Sequence, residues 1–292
     1  MKVAIYGRLT QDNTSEHIQL LFHKLNENNV EMLIYEPLYK FLKQKVQIKG
    51  IVKTFNSFSD LNEEADCLLS IGGDGTFLET LTYIRNSGIP VLGINTGRLG
   101  FLANVAKTEI SIAVDALVKK NFSIEKRALL SVTAPNNLFG EINYALNELT
   151  IFKKDSSSMI TIHTYINGDY LNSYFADGLI IATPTGSTAY SLSCGGPLVM
   201  PSSQNFVITP IAPHNLNVRP LIISDDNEIK LKVEGRSSHY LASLDSRNEI
   251  IDSSIELTIK KADFYFHFIK LENQNFFNTI RNKLLWGLDK RN

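Results

Sequence analysis

The hydrophobic rhythm of the chain changes near residue 124, and that change restricts the fold more than any single motif. Before it, four short apolar runs read as strands: Val3-Ala4-Ile5-Tyr6, Met32-Leu33-Ile34-Tyr35, Cys67-Leu68-Leu69-Ser70-Ile71 and Val91-Leu92-Gly93-Ile94. Between them Ile18, Leu21 and Leu25, and later Phe77, Leu78, Leu81 and Ile84, recur at helical spacing until Ser87-Gly88-Ile89-Pro90 stops the second stripe. Strands alternating with helices make βαβ units and a mostly parallel sheet. After residue 124 the period falls to two. Ile160, Ile162, Thr164 and Ile166 share one face of a strand that ends in the hairpin turn Asn167-Gly168, and similar runs recur at 229–233, 255–259 and 264–268. One last helical stripe, Phe277, Ile280, Leu284 and Leu288, has no helical neighbour nearby in sequence. The expected architecture is an α/β N-terminal domain, Rossmann-like with a mostly parallel sheet, followed by an all-β C-terminal domain.

Composition excludes several functions. The chain has 292 residues, enough for two modest domains, with 43% hydrophobic and 20% charged residues. No run approaches the roughly 20 apolar residues of a membrane span, and the N-terminal apolar run is too short for a signal peptide, so the expected compartment is the cytoplasm. Twenty-nine basic and 30 acidic residues leave a net charge of −1, without the basic footprint of a nucleic-acid binder. The two cysteines, Cys67 and Cys194, offer neither a disulfide framework nor metal-ligand spacing and read as small buried residues.

Two glycine-rich segments carry the chemistry. The first, Gly72-Gly73-Asp74-Gly75-Thr76, joins a strand to a helix at the carboxyl edge of the sheet, where ligands of open α/β folds bind. Its N–H groups can receive a phosphate. Asp74 would repel that phosphate unless a divalent cation or a transferring proton lies between them, as happens in phosphoryl transfer. A tight turn in which Asp74 caps the helix fits the same residues. The second segment runs from Asp177 to Pro197, with hydroxyls at 183, 185, 187, 188, 191 and 193 and a stackable ring at Tyr190. It suits either a nucleotide pocket or a Ser/Thr-rich connection in a β domain.

Taken together, G-G-D-G-T at 72–76, N-T-G-R-L-G-F-L at 95–102, N-E at 147–148, the block from Ala176 to Pro197 and P-I-A-P-H at 210–214 resemble the NAD kinase family in order and spacing. The resemblance implies ATP and NAD as substrates, with Mg²⁺ arriving on ATP rather than on protein ligands. It implies that Asp74 is catalytic, deprotonating the adenosine ribose 2′-hydroxyl of NAD as it attacks the γ-phosphate. Gly72, Gly73, Gly75 and Thr76 would cradle phosphate. Asn147 and Glu148 would bind NAD hydroxyls, and Asp177 the nicotinamide-side ribose. Thr188, Ala189 and Tyr190 would form the adenine step, with Thr185, Ser191, Leu192 and Ser193 in the same block, and Phe101 and Ala212 would give apolar contacts. The family fold also implies that the C-terminal helix returns to the first domain, giving domains at 1–123, completed by 270–292, and at 124–269.

Other positions admit plainer readings. Asn147-Glu148 fits a solvated turn, His214 a loop residue capping a carbonyl, Arg98 a solvated arginine that could meet phosphate, and Lys153 and Lys154 surface charges at a strand end. Where the family commonly has D-G-Q, this chain has Asp245-Ser246-Arg247, so Arg247 is expected to offer a charged donor to the nucleotide. Two competing functions remain at this level: a lipid or sugar hydroxyl kinase on the same phosphate turn, and a non-catalytic NAD(P)-sensing module. The family implies a homodimer or homotetramer.

Overall fold

Strand 67–72 is buried at every residue. That is the mark of a parallel strand covered on both faces, and the N-terminal unit is organised around it. The computed structural model describes residues 1–8, 16–61, 64–97, 99–154, 158–272 and 274–286. Two compact units result: Met1–Lys126 with His267–Asn292, and Arg127–Phe266.

The first unit contains, in order, β1 (Lys2–Gly7), α1 (Glu16–Glu27), β2 (Glu31–Tyr35), α2 (Glu36–Leu42), β3 (Val52–Phe55), α3 (Phe58–Leu61), β4 (Cys67–Gly72), α4 (Asp74–Glu79), α5 (Leu81–Ile84), β5 (Val91–Asn95), β6 (Val105–Ala106) and α6 (Ile110–Val118). The strands pair in parallel in the order β5-β4-β1-β2-β3. Ile18, Leu21, Phe22 and Leu25 of α1 pack with Ile110, Ala113, Val114 and Leu117 of α6 against Val3, Ile5, Leu69 and Ile71 on one face of that sheet. The stripe from Phe77 to Ile84 forms two short helices rather than one. Thr80, between them, turns its hydroxyl onto the Phe77 carbonyl at 2.6 Å, a local bond that competes with the helical ladder.

The second unit holds most of β7 (Phe122–Ala134), then β8 (Tyr144–Ala145), β9 (Glu148–Lys153), β10 (Ile160–Ile166), β11 (Asp169–Ala176), β12 (Gly178–Ala182), α7 (Tyr190–Ser193), β13 (Asn205–Ile211), β14 (Leu221–Ser224), β15 (Ile229–Gly235), β16 (His239–Leu244), β17 (Arg247–Asp252) and the first part of β18 (Glu256–Leu271). Antiparallel β11-β10-β15-β18 forms one layer. β14-β13-β12-β9-β16-β17 forms the other. Ile160, Ile162, Leu231 and Val233 of the first layer meet Leu149, Ile151, Ile181 and Ile208 of the second in one apolar core. Asn167 and Gly168 both have positive φ, 52° and 91°, the backbone of a tight two-residue hairpin turn.

Apart from Ile255, the runs at 255–259 and 264–268 belong to one 16-residue strand, β18, whose last residues belong to the first unit, where Phe268 pairs with Val91 of β5. α8 (Phe276–Leu284) follows in that same unit, with Lys283 Nζ 5.7 Å from the Phe101 ring centroid. Ile280 of its stripe is buried, but Phe277 is 58% exposed, contrary to the apolar face read from spacing. Leu288 lies outside the described residues, as do Arg98, Ser156 and Ser157. Among the described residues no helix is long and apolar enough to cross a membrane.

The sandwich core sets a direct expectation. Ile181→Ala removes a fully buried side chain and should cost about 2–5 kcal/mol in chemical denaturation. Ile250→Ala, at a side chain 53% exposed, should change stability by no more than about 0.5 kcal/mol.

Candidate active site

In the first unit the site begins where β4 ends. Gly72 closes the strand, Gly73 precedes α4 in an extended conformation, and Asp74 opens the helix. Gly73 and Gly75 are exposed, and Asp74 and Thr76 half-buried. The Asp74 carboxylate does not cap its own helix. It turns to the segment after β5, where Oδ2 accepts the N–H of Phe101 at 2.8 Å and Oδ1 accepts those of Leu102 and Ala103 at 3.0 and 2.8 Å. A carboxylate has about four acceptor positions. Three are used here, and the fourth lies on Oδ2.

That wrap requires glycine at position 100. A Cβ there would fall 1.8 Å from Asp74 Oδ1, so any side chain would push the loop off the carboxylate. Gly100 stands in the sequence between Leu99 and Phe101 without a role legible from spacing. Phe101 is half-buried.

The second unit gathers another set. Asn147 is 7% exposed, and Glu148 starts β9 rather than lying in a solvated turn. Their N–H groups, with that of Leu146, all donate to Asp245, at 2.9 and 3.1 Å to Oδ1 and 2.9 Å from Leu146 to Oδ2. The Asp245 N–H in return donates to the Glu148 carbonyl at 3.0 Å. From the other side the turn at 183–188 closes on the same residues. Thr183 donates its N–H to the Asn147 carbonyl at 2.8 Å and its hydroxyl to the Leu146 carbonyl at 2.5 Å. Gly186 lies so close that a Cβ would be 2.1 Å from the Asn147 carbonyl oxygen.

Thr185 is 3% exposed and takes an Arg127 Nη1 contact at 3.4 Å, and Thr188 donates to the Thr185 carbonyl at 3.0 Å. Ser191 is buried and shares a hydrogen bond of 2.8 Å with Thr209. Ala189 and Leu192 are half-buried, Ser193 is exposed, and the Tyr190 side chain is 41% exposed. Ala212 is exposed with φ 44°. Cys194 is half-buried rather than buried.

Two expectations are corrected. Arg247 does not hold its fork open to a ligand: Nη1 donates to the Ile142 carbonyl and Nη2 to that of Tyr144, the latter at 2.6 Å. Its charge fixes the segment leading to Asn147. Lys153 is no surface charge, since its Nζ lies 2.5 Å from Asp177 Oδ1 with only 17% of the side chain exposed. Lys153 ends β9 and Asp177 immediately precedes the neighbouring β12, and the Lys153 N–H donates to the Asp177 carbonyl at 2.9 Å. His214, as expected, caps a carbonyl: its main-chain N–H donates to that of Phe175 at 2.9 Å, and its ring packs edge-on against that of Phe175.

Electrostatics single out Glu148. Its Oε2 is buried without a hydrogen-bond partner among the described residues. Burial pushes the Glu148 carboxyl up to about 8, and the neighbouring Asp245 carboxylate pushes in the same direction. Burial also raises Asp245, against the pull of its three N–H donors and of Arg247. A neutral Glu148 near pH 7 can both donate and accept a hydrogen bond, a suitable partner for a sugar hydroxyl.

Residues 3–122 match the family model described as the ATP-NAD kinase N-terminal domain, and 146–271 the ATP-NAD kinase C-terminal domain. The chain is 51% identical to a NAD kinase of Flavobacterium psychrophilum over 294 residues, covering 100% of both chains. It is 46% identical to a NAD kinase of Bacteroides fragilis over 291 residues, again covering 100% of both. Among solved structures it is similar to an NAD kinase from Archaeoglobus fulgidus in complex with ATP, at 27% identity and TM-score 0.76, over 97% of this chain and 99% of that one. Yeast NADH kinase complexed with NADH shares the fold at TM-score 0.87, over 98% of this chain and 88% of that one, at 24% identity. The two units thus define a two-domain nucleotide kinase. The chain belongs to the ATP-NAD kinase family.

Glu148 gives a pH dependence with a definite sign. Its carboxyl titrates near 4.5 when unfolded and about 8 when folded, so between those values the unfolded chain ionises first and the fold loses stability as pH rises. Between about pH 5 and pH 8 the wild type should lose roughly 2–4 kcal/mol more than Glu148→Gln in urea unfolding of the ligand-free protein. Parallel profiles for the two would show that Glu148 is ionised in the fold.

Proposed function

We propose that the chain transfers the γ-phosphoryl group of ATP to the 2′-hydroxyl of the adenosine ribose of NAD, giving NADP and ADP, with Asp74 as the general base. The observation that carries this reading is the backbone cradle around Asp74. Three N–H groups fix both carboxylate oxygens and leave one acceptor position on Oδ2, where a substrate hydroxyl can place its proton. The attacking oxygen then forms its bond to γ-phosphorus as the bond to the ADP oxygen breaks, and the hydroxyl proton passes to Asp74. A pure phosphate binder has no reason to keep a carboxylate at this turn.

The remaining residues position the reactants, which is most of what phosphoryl transfer asks of a protein. Gly72, Gly73, Gly75 and Thr76 receive phosphate, and Phe101 supplies an apolar contact. Asn147 and a neutral Glu148 bind the hydroxyls of NAD. Asp177, oriented by Lys153, holds the nicotinamide-side ribose. Thr188, Ala189 and Tyr190 take the adenine, with Thr185, Ser191, Leu192, Ser193 and Ala212 around them. Mg²⁺ enters on ATP as part of the substrate and neutralises phosphate charge. We place the enzyme in the cytoplasm as a homodimer or homotetramer; light scattering checks the assembly.

Incubation with ATP, Mg²⁺ and NAD should produce NADP, read by an NADP-specific dehydrogenase; ATP consumed without NADP would overturn the assignment. Asp74→Asn should lower turnover about 10²-fold or more while NAD still binds. Unchanged turnover would remove Asp74 from the chemistry. Gly100→Ala, which forces the 100–103 segment off Asp74, should also lower turnover about 10²-fold with Asp74 intact.

A further inference from the structure

A second charged group stands beside the phosphate turn of the first unit and has no part in the chemistry above. β1 and β4 run parallel, with Gly7 paired to Ile71. Arg8 therefore emerges level with Gly72, at the same carboxyl edge of the sheet. Its Nε lies 2.9 Å from Oε2 of Glu79, the last residue of the helix that Asp74 opens. Strand register sets Arg8 level with Gly72, and the ion pair ties its guanidinium to the helix that Asp74 opens.

The Glu79 carboxylate is itself fixed. The same Oε2 accepts the Tyr6 hydroxyl at 2.6 Å. Tyr6 is fully buried, its ring packed 4.9 Å from those of both Tyr35 and Tyr83. Burial and the Glu79 contact hold the Tyr6 phenol far above its ordinary value, so it remains a hydrogen-bond donor at any physiological pH. A core tyrosine thus holds a carboxylate, and the carboxylate holds a guanidinium by one nitrogen.

The other end of the guanidinium is open. The Arg8 side chain is 67% exposed. Besides the Glu79 carboxylate the guanidinium also contacts the Tyr6 phenol, and the rest of it faces solvent. An ordinary surface arginine samples many rotamers, whereas this one is anchored by Glu79 and Tyr6 while most of its side chain faces solvent. A planar pair of N–H donors matches two oxygens of a phosphate.

We propose that Arg8, oriented by Glu79 and Tyr6, binds the phosphates of the phosphoryl donor and so sets the affinity for ATP. The inference rests on the NAD-kinase reading above and adds to it a binding residue on the donor side. It also explains why Glu79 can stand near bound phosphates, because its charge is directed to Arg8.

The test is steady-state kinetics with ATP and NAD varied separately. Arg8→Ala should raise KM for ATP at least about ten-fold and leave KM for NAD within about two-fold. Arg8→Lys keeps the charge without the fork and should fall between wild type and alanine. Glu79→Gln keeps an acceptor for Tyr6 but releases the guanidinium, and should raise KM for ATP by less than Arg8→Ala, the double variant being no worse than Arg8→Ala. Thermal midpoints measured alongside should show Arg8→Ala folding as the wild type does. An ATP KM unchanged in Arg8→Ala, or KM values for ATP and NAD raised equally, would overturn the proposal. Failure of the wild type to make NADP would instead overturn the reading on which it rests.

Discussion

The capture of the Asp74 carboxylate by the N–H groups of Phe101, Leu102 and Ala103 ties together elements 27 to 29 residues apart in sequence. A carboxylate at the mouth of a parallel sheet is free to rotate unless something fills its lone pairs, and main-chain N–H groups fill them without side-chain entropy. The arrangement depends on glycine at 100, on a short β4-to-α4 turn that aims Asp74 outward, and on β5 placing the next segment alongside. Each of these is a backbone condition, met before any substrate arrives.

The second unit uses the same device. There Asp245 collects the N–H groups of Leu146, Asn147 and Glu148 and fixes the start of β9 as Asp74 fixes the segment after β5. The difference lies in what surrounds the carboxylate. Asp74 keeps an acceptor position on its outer oxygen. Asp245 is enclosed, with Arg247 nearby spending its fork on the carbonyls of Ile142 and Tyr144. The first arrangement suits proton transfer, whereas the second suits holding Asn147 and Glu148 in place, where burial first and the nearby Asp245 second keep Glu148 neutral.

Much of this was legible in the sequence. Continuous apolar runs at 67–71 and 91–94 marked buried parallel strands, and alternation at 160–166 with Asn167-Gly168 marked a hairpin, because those patterns follow from backbone periodicity alone. β3 was not legible: Val52-Lys53-Thr54-Phe55 is an edge strand whose lysine and threonine are exposed, so no apolar run announces it. Nor was the unity of β18, since a strand that leaves one environment for another changes its burial pattern midway. At the site, residue types were readable and pairings were not. Lys153 and Asp177 are 24 positions apart and meet only because β9 and β12 are neighbours. Arg247 was read as a free donor because nothing local shows where its fork ends. Gly100 and Arg8 gain meaning only from the register that sets them beside Asp74 and Gly72.

A structure of the enzyme with NAD and a non-hydrolysable ATP analogue tests the role of Asp74 most directly. The ribose 2′-hydroxyl should lie about 2.6–3.2 Å from Asp74 Oδ2, in line with the γ-phosphorus, while Leu102 and Ala103 still donate to Oδ1. A 2′-hydroxyl held by another residue, or an Asp74 turned away from the segment at 101–103 to ligate the metal, would contradict it.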